Sequence, residues 1–193
     1  MHDPHADAAR ALRDFLVALG VPVDRDRELD GTPERVALAF HDELLDGYRR
    51  DPRTVLADAL ATEETGVVTV AGIHYASVCP HHLLPTWGRA HVGYLPGGRI
   101  VGVGALAQLV EVLAHRMVLQ ETLGRTVADA LVEHLGARDA GVVLEARHAC
   151  LSLRGERQAE ATVVTQSFAG VWRDDLAARR EFLFCVERGR PVR

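Results

Sequence analysis

The chain has 193 residues, 48% hydrophobic and 25% charged, with a net charge of −5; that suffices for one domain with a sizeable core and a helical extension. The acidic balance offers no basic surface to nucleic acid, and no apolar run reaches the ~18 residues of a membrane span. The N-terminal stretch is charged and helix-patterned without a signal-peptide core, so the expected compartment is the cytoplasm.

In chain order, residues 5–19 carry Ala, Leu, Phe and Val at helical spacing. A second helix is predicted from "TPERVA", with Thr32 as its cap, Pro33 at its first position and Glu34 at its positive end. Residues 51–63 read as a short helix and a loop. The pattern changes at "TGVVTVAGI" (65–73), a strand, and "TWGRAHVGYLP" (86–96) alternates as another. Gly97-Gly98 reads as a hairpin turn leading to a strand at "RIVGV". Two helical runs follow, "GALAQLVEVLAHRM" and "LQETLGRTVADALVEHLG", the second stopped by Gly136. "AGVVLEARHACLSLRG" and "AEATVVTQSFAG" form a further strand pair, and "DDLAARREFLFCV" a last helix.

The expected architecture is α+β: a helical region over residues 1–63, then a β-β-α-α-β-β domain with a C-terminal helix over 64–193. Two helices cover one face of a four-stranded antiparallel sheet. The other face and the sheet edges stay open and invite closure by further copies of the chain.

All 22 basic residues are Arg, so a bound anion must be held by Arg, His, backbone N–H groups or metal. The three Cys, at 79, 150 and 185, are too few and odd in number for a disulfide framework. Cys185 sits in an apolar segment and reads as a buried filler. Cys79 and Cys150 each have His close by, in "SVCPHHLLP" and "EARHACLSLRG". Cys79-x-x-His82 is a chelating spacing. His148 and Cys150 stand two apart on an expected strand, which points both to one face. Adjacent His81 and His82 do not easily share one ion with Cys79. The favoured division therefore gives Cys79, His82 and Cys150 to Zn²⁺ and leaves His81 and His148 as proton-transfer groups. Spacing alone leaves open a purely structural zinc site. His2, His5, His41, His74, His91, His115 and His134 are scattered and read as surface or packed histidines.

"CPHHLLP", "GRAHVGYLPGGRIVG", "LQETL", "EARHACLSLRG" and "TVVTQSFAG", in this order and flanked by "TPERVA" and "GVWRDDLAARREFL", resemble the motif series of GTP cyclohydrolase I. The resemblance runs from about residue 30 to residue 184. It implies the tunnelling fold, in which β-β-α-α-β-β units close into barrels within a ring-shaped homo-oligomer, commonly a decamer, with active sites between subunits. It implies conversion of GTP to 7,8-dihydroneopterin triphosphate and formate. By the same resemblance Cys79, His82 and Cys150 hold zinc, and His81 and His148 are catalytic. Gln120 and Glu121 are substrate-binding, with Glu121 on the guanine edge, while Arg154 and Arg35 meet phosphate.

The reaction asks for such groups. Guanine C8 is a poor electrophile, so ring opening needs the strong nucleophile that zinc makes of water near pH 7. Protonation of N7, assigned to His148, activates C8; His81 serves the later rearrangement of the ribose. Glu121 would accept paired N–H bonds from guanine N1 and N2, a match adenine cannot offer.

The chain also departs from the family pattern. Pro80 replaces a frequent Glu. Gly104, Ala105 and Gln108 stand where the family usually has Ser, Lys and Arg, and Leu38 replaces a basic residue. With only Arg35, Arg154 and Arg157 left for phosphate, two further functions stay in view. One is a variant acting on a less phosphorylated guanine nucleotide or stopping at the formamidopyrimidine. The other is a non-catalytic zinc-stabilised ring that binds pterins.

Overall fold

Asp3 begins the first helix by accepting bonds from the His5 and Ala6 N–H groups, and Pro4 supplies a φ already suited to a first turn. The structure, a computed structural model, describes residues 3–189; the expectation for His2 lies outside them. The chain divides into two compact units, the first ending at Asp46 and the second starting at Gly47.

The first unit holds α1 (Pro4–Ala18) and α2 (Thr32–Ala39), which pack on each other. Thr32 does not cap α2. Gly31 occupies the cap position at φ 68°, and Thr32 is already helical. Only a glycine enters that left-handed conformation without Cβ strain. α2 runs on into a π-helical turn, Phe40–Leu44, closed by the Leu45 N–H on the Phe40 carbonyl at 2.9 Å.

The second unit contains α3 (Pro52–Val55), β1 (Leu60–Ala61), β2 (Val68–Val78), β3 (Pro85–Leu95), β4 (Arg99–Ile100), α4 (Val103–Ala114) and α5 (Gln120–Ala130). A second π turn, Leu131–Leu135, extends α5 to Gly136, which ends it at φ 77°. There follow β5 (Asp139–His148), the single turn α6 (Ala149–Ser152), β6 (Val163–Ala169) and α7 (Arg180–Gly189).

The main sheet is four-stranded and antiparallel, as expected, and its strand order is β2-β3-β5-β6. Alternation assigns the faces. Ala140, Val142, Leu144 and Ala146 of β5 join Ala90, Val92 and Tyr94 of β3 in the main core, under Leu106, Leu109, Val110 and Leu113 of α4 and Leu123 and Val127 of α5.

Two expectations about the sheet need correction. Residues 99–103 are not a strand beside β3, because β2 and β5 already occupy both sides of β3. Only Arg99 and Ile100 are extended, and they pair with Ala61 and Leu60 of β1, in a stretch read as loop. The hairpin is instead β2–β3, joined by the loop that holds Cys79 and His82. Strand β2 accordingly runs on to Val78, past the end predicted at residue 73.

The other face of the sheet is not left open either. α7 packs against β2 and β3. Its Phe182 and Val186 form a second cluster with Val143 of β5 and with Trp172. The Trp172 and Phe182 rings stack 5.5 Å apart. Asp139 fastens this corner by accepting the Trp172 N–H at 3.0 Å.

Candidate metal centre and cleft

Strand register builds the site. Ser77, Thr86 and His148 are direct partners across β2, β3 and β5, so they form one row at the end of the sheet. Immediately beyond β2 the chain reverses: the Cys79 N–H donates to the Leu84 carbonyl at 2.9 Å, and the Leu83 N–H to the Cys79 carbonyl at 3.0 Å. This tight loop brings Cys79 and His82 together, with Cys79 Sγ 3.8 Å from His82 Nδ1.

Beyond His148 the strand stops. Cys150 is not on the strand, as its two-residue offset from His148 suggested; it belongs to the helical turn α6. That turn swings the Cys150 side chain to the 79–82 loop. Sulfur and nitrogen donors of Cys79, His82 and Cys150 lie within 4.8 Å of one another. Burial pushes the Cys150 thiol up and neighbouring Cys79 adds to the effect, while Arg154 pulls the other way. A cation among these donors would displace the thiol protons, as thiolate ligation requires. Two thiolates and one imidazole suit zinc or another borderline-soft divalent ion, and three protein donors leave a coordination position over.

A cleft of about 160 Å³ opens beside this set, lined by Tyr75, Ser77, Cys79, Pro80, His81, Thr86, Gln120, Glu121, His148 and Cys150 among others. His148 is held on both sides: Nε2 lies 2.8 Å from Gln120 Oε1, and Nδ1 lies 3.3 Å from Thr86 Oγ1. Gln120 donates from Nε2 to the Leu144 and Val163 carbonyls and to Thr165 Oγ1, at 3.1–3.2 Å. With that NH₂ group committed, its oxygen faces His148, so the neutral imidazole carries its proton on Nε2. Nδ1 is then the nitrogen able to gain and release a proton. Burial holds the His148 pKa below the ordinary imidazole value, and the Glu121 carboxylate works in the opposite direction.

The predicted residues thus divide. Cys79, His81, Glu121, His148 and Cys150 meet at one cleft, with His82 completing the donor set. Gln120, expected to touch substrate, lines the cleft but is buried, with its amide nitrogen bonded to protein partners and its oxygen facing His148. Arg154 is not among the cleft-lining residues. Arg35, in the first unit, donates to the Asp30 carbonyl and to Thr32 Oγ1. Sequence reasoning missed Tyr75 and Thr86. Neither carries a signal in its neighbours; strand register alone brings them to the cleft. Cys185 is only partly buried.

Fold and site together define an α+β protein with a Cys₂His metal-donor set beside a histidine–carboxylate cleft at the end of an antiparallel sheet. The family profile described as GTP cyclohydrolase I matches residues 8–187. A GTP cyclohydrolase 1 of Campylobacter lari is 39% identical over 95% of this chain and 96% of its own length. One of Corynebacterium glutamicum is 41% identical over 94% and 92%, and one of Bacillus subtilis 39% over 93% and 94%. Among solved structures, an apo archaeosine synthase QueF-Like chain is a fainter likeness: TM-score 0.46 and 16% identity, over 56% of this chain and 97% of that one. The chain belongs to the GTP cyclohydrolase I family. Among the described residues no helix is long and apolar enough to cross a membrane.

Proposed function

We propose that the chain is a cytoplasmic GTP cyclohydrolase I that opens the guanine ring of GTP and yields 7,8-dihydroneopterin triphosphate and formate. The observation that carries this reading is the meeting of a Cys₂His donor set with His148, His81 and Glu121 around one cleft. Cys79, His82 and Cys150 hold Zn²⁺. When bound, the ion supplies Lewis acidity and a water activated near neutral pH.

The protein's own groups do the rest. Glu121 accepts the N1 and N2 hydrogens of guanine. His148 delivers a proton from Nδ1 to guanine N7, with Gln120 fixing the ring through Nε2. After C8 leaves as formate, His81 moves protons while the ribose opens and the freed amine closes on its carbonyl. Residues 64–193 form the catalytic domain, and residues 1–63 the helical extension.

A homo-oligomer, a decamer by family resemblance, completes the site. Ligand pockets usually enclose about 300–1,000 Å³, and the 160 Å³ cleft of one chain falls short of that. Strands β2 and β6 stand at the two edges of the main sheet, where further strands can add to close a barrel. Arg154 and Arg35 are the candidates to reach phosphate in the assembled ring.

A second reading has one observation in its favour. Gly104 and Ala105, at the start of α4, present neither hydroxyl nor charge. A less phosphorylated guanine nucleotide, or arrest at the formamidopyrimidine, would fit that poorer pocket.

Incubating zinc-loaded protein with GTP, GDP and guanosine in parallel, with product mass and formate followed, separates these readings. Dihydroneopterin triphosphate with stoichiometric formate supports the first. A formyl-retaining product, or turnover of GDP alone, replaces it with the second. Zinc bound without any turnover would indicate the pterin-binding ring.

A further inference from the structure

We propose that His5, His41 and Asp42 form a second metal site, for a divalent transition-metal ion, in the first compact unit. His5 and His41, read from sequence as surface or packed histidines, converge on one carboxylate oxygen. His5 Nε2 lies 3.2 Å and His41 Nδ1 2.5 Å from Asp42 Oδ1. All three donors stand within 4.8 Å of one another. Tetrahedral ligation at about 2.0–2.2 Å sets donors roughly 3.3–3.6 Å apart, so small side-chain rotations seat an ion among them. The imidazole rings meet edge-on, with centroids 4.3 Å apart and planes at 68°.

The backbone explains the convergence. His5 is in the first turn of α1, and His41 and Asp42 lie in the π turn that follows α2. Adjacent residues on a regular α-helix do not face each other. The wider turn nonetheless brings the His41 and Asp42 donors to hydrogen-bond distance, and π turns gather at functional positions. The side chains are 40%, 28% and 42% exposed for His5, His41 and Asp42, open enough to admit an ion whose remaining positions water fills.

Two imidazoles and a carboxylate favour zinc, cobalt or nickel over calcium or magnesium, which prefer all-oxygen shells. The site has no thiolate, which sets its chemistry apart from the Cys₂His centre. Its ligands lie 37 residues apart in sequence, counted from His5 to Asp42. An ion there ties the start of α1 to the end of the α2 segment and stabilises the folded unit by mass action. The proposal does not depend on the cyclohydrolase reading.

Cobalt(II) titration of the metal-stripped full-length protein tests it, because thiolate ligands give cobalt an intense near-ultraviolet charge-transfer band and a His₂Asp site does not. The expected result is two bound equivalents per chain, one with that band and one showing only visible ligand-field absorption. His5→Ala, His41→Ala and Asp42→Asn should each lose the second equivalent and keep the first, whose retained band reports a folded protein. A single equivalent in the unaltered protein overturns the site, as does a second equivalent that survives in both His5→Ala and His41→Ala.

Discussion

His148 Nε2 and Gln120 Oε1 lie 2.8 Å apart, and the same glutamine binds the Leu144 and Val163 carbonyls and the Thr165 hydroxyl through its amide nitrogen. One buried side chain thus clamps the start of α5 to β5 and β6 and aims the histidine. Gln120→Met keeps the volume and removes every one of these bonds. Stability should fall by about 1–3 kcal/mol, the cost of leaving buried polar groups unpaired, as read from urea unfolding. In the proposed reaction kcat should fall at least about tenfold with a smaller change in KM. Unchanged kcat would remove Gln120 from the positioning of His148.

Glu121 and His148 are coupled electrostatically. Burial lowers the His148 pKa and the Glu121 carboxylate raises it. Glu121→Gln removes the raising influence, so His148 in the metal-free protein should titrate at lower pH, followed by NMR of the ring. A native pKa below the unfolded value of about 6.5 means that the unfolded state takes up the proton first. The associated stability is present above that value and is lost as pH falls toward the native pKa. Unfolding midpoints of Glu121→Gln should therefore drop more steeply below pH 6.5 than those of the parent. An upward shift of the titration would mean that another charge dominates.

Metal retention and turnover should separate. Cys150→Ala removes a donor and is expected to lose both the tightly held ion and activity, with metal content measured after gel filtration. His148→Ala leaves the Cys79, His82 and Cys150 donors in place, so it should keep the ion and lose turnover. Normal turnover in His148→Ala would refute the role assigned to that histidine.

Gly93 and Gly141 are direct partners in β3 and β5 and form a notch for the Phe182 ring of α7. A Cβ would come within 2.6 Å of the ring at Gly93 and 2.7 Å at Gly141. Either residue changed to Ala should cost about 1–3 kcal/mol by overpacking. Phe182→Leu should make Gly141→Ala far less costly, since the obstructing ring is gone, and relieve Gly93→Ala only in part, because Thr69 Oγ1 still lies 2.9 Å from the added Cβ there. Additive losses in the double-mutant cycle would show that the strain lies elsewhere.

Tyr75 lines the cleft, and its buried hydroxyl has no hydrogen-bond partner among the described residues. Burial also pushes its phenol pKa above the ordinary value. Tyr75→Phe should leave the melting temperature of the ligand-free protein unchanged or higher, because it removes an unpaired buried polar atom. A lower melting temperature would point to a partner that the hydroxyl binds.

Features set by neighbours along the chain were readable in advance. Gly136 ends the α5 segment as predicted, because αL geometry is a property of one residue. The β-β-α-α-β-β order and the antiparallel sheet followed from changes in hydrophobic period. The Cys79-x-x-His82 pair was legible because a loop of that length brings its own ends together. Where several local solutions compete, the reading slipped. Gly31, rather than Thr32, takes the α2 cap. Residues 99–103 had strand composition but found no free neighbour on β3.

By itself the sequence marked Cys79, His82 and Cys150 as candidate metal donors and His81 and His148 as candidate proton-transfer groups, and it located most of the helical and extended segments, since both readings depend on residue type and short-range spacing. Only the tertiary structure decided that α6 carries Cys150 to the 79–82 loop, that Gln120 spends its amide on the sheet and orients His148, and that His5 reaches Asp42. Those relationships join residues far apart in sequence. They depend on strand register and helix docking, which are settled by burial summed over the whole core rather than by any one stretch of chain.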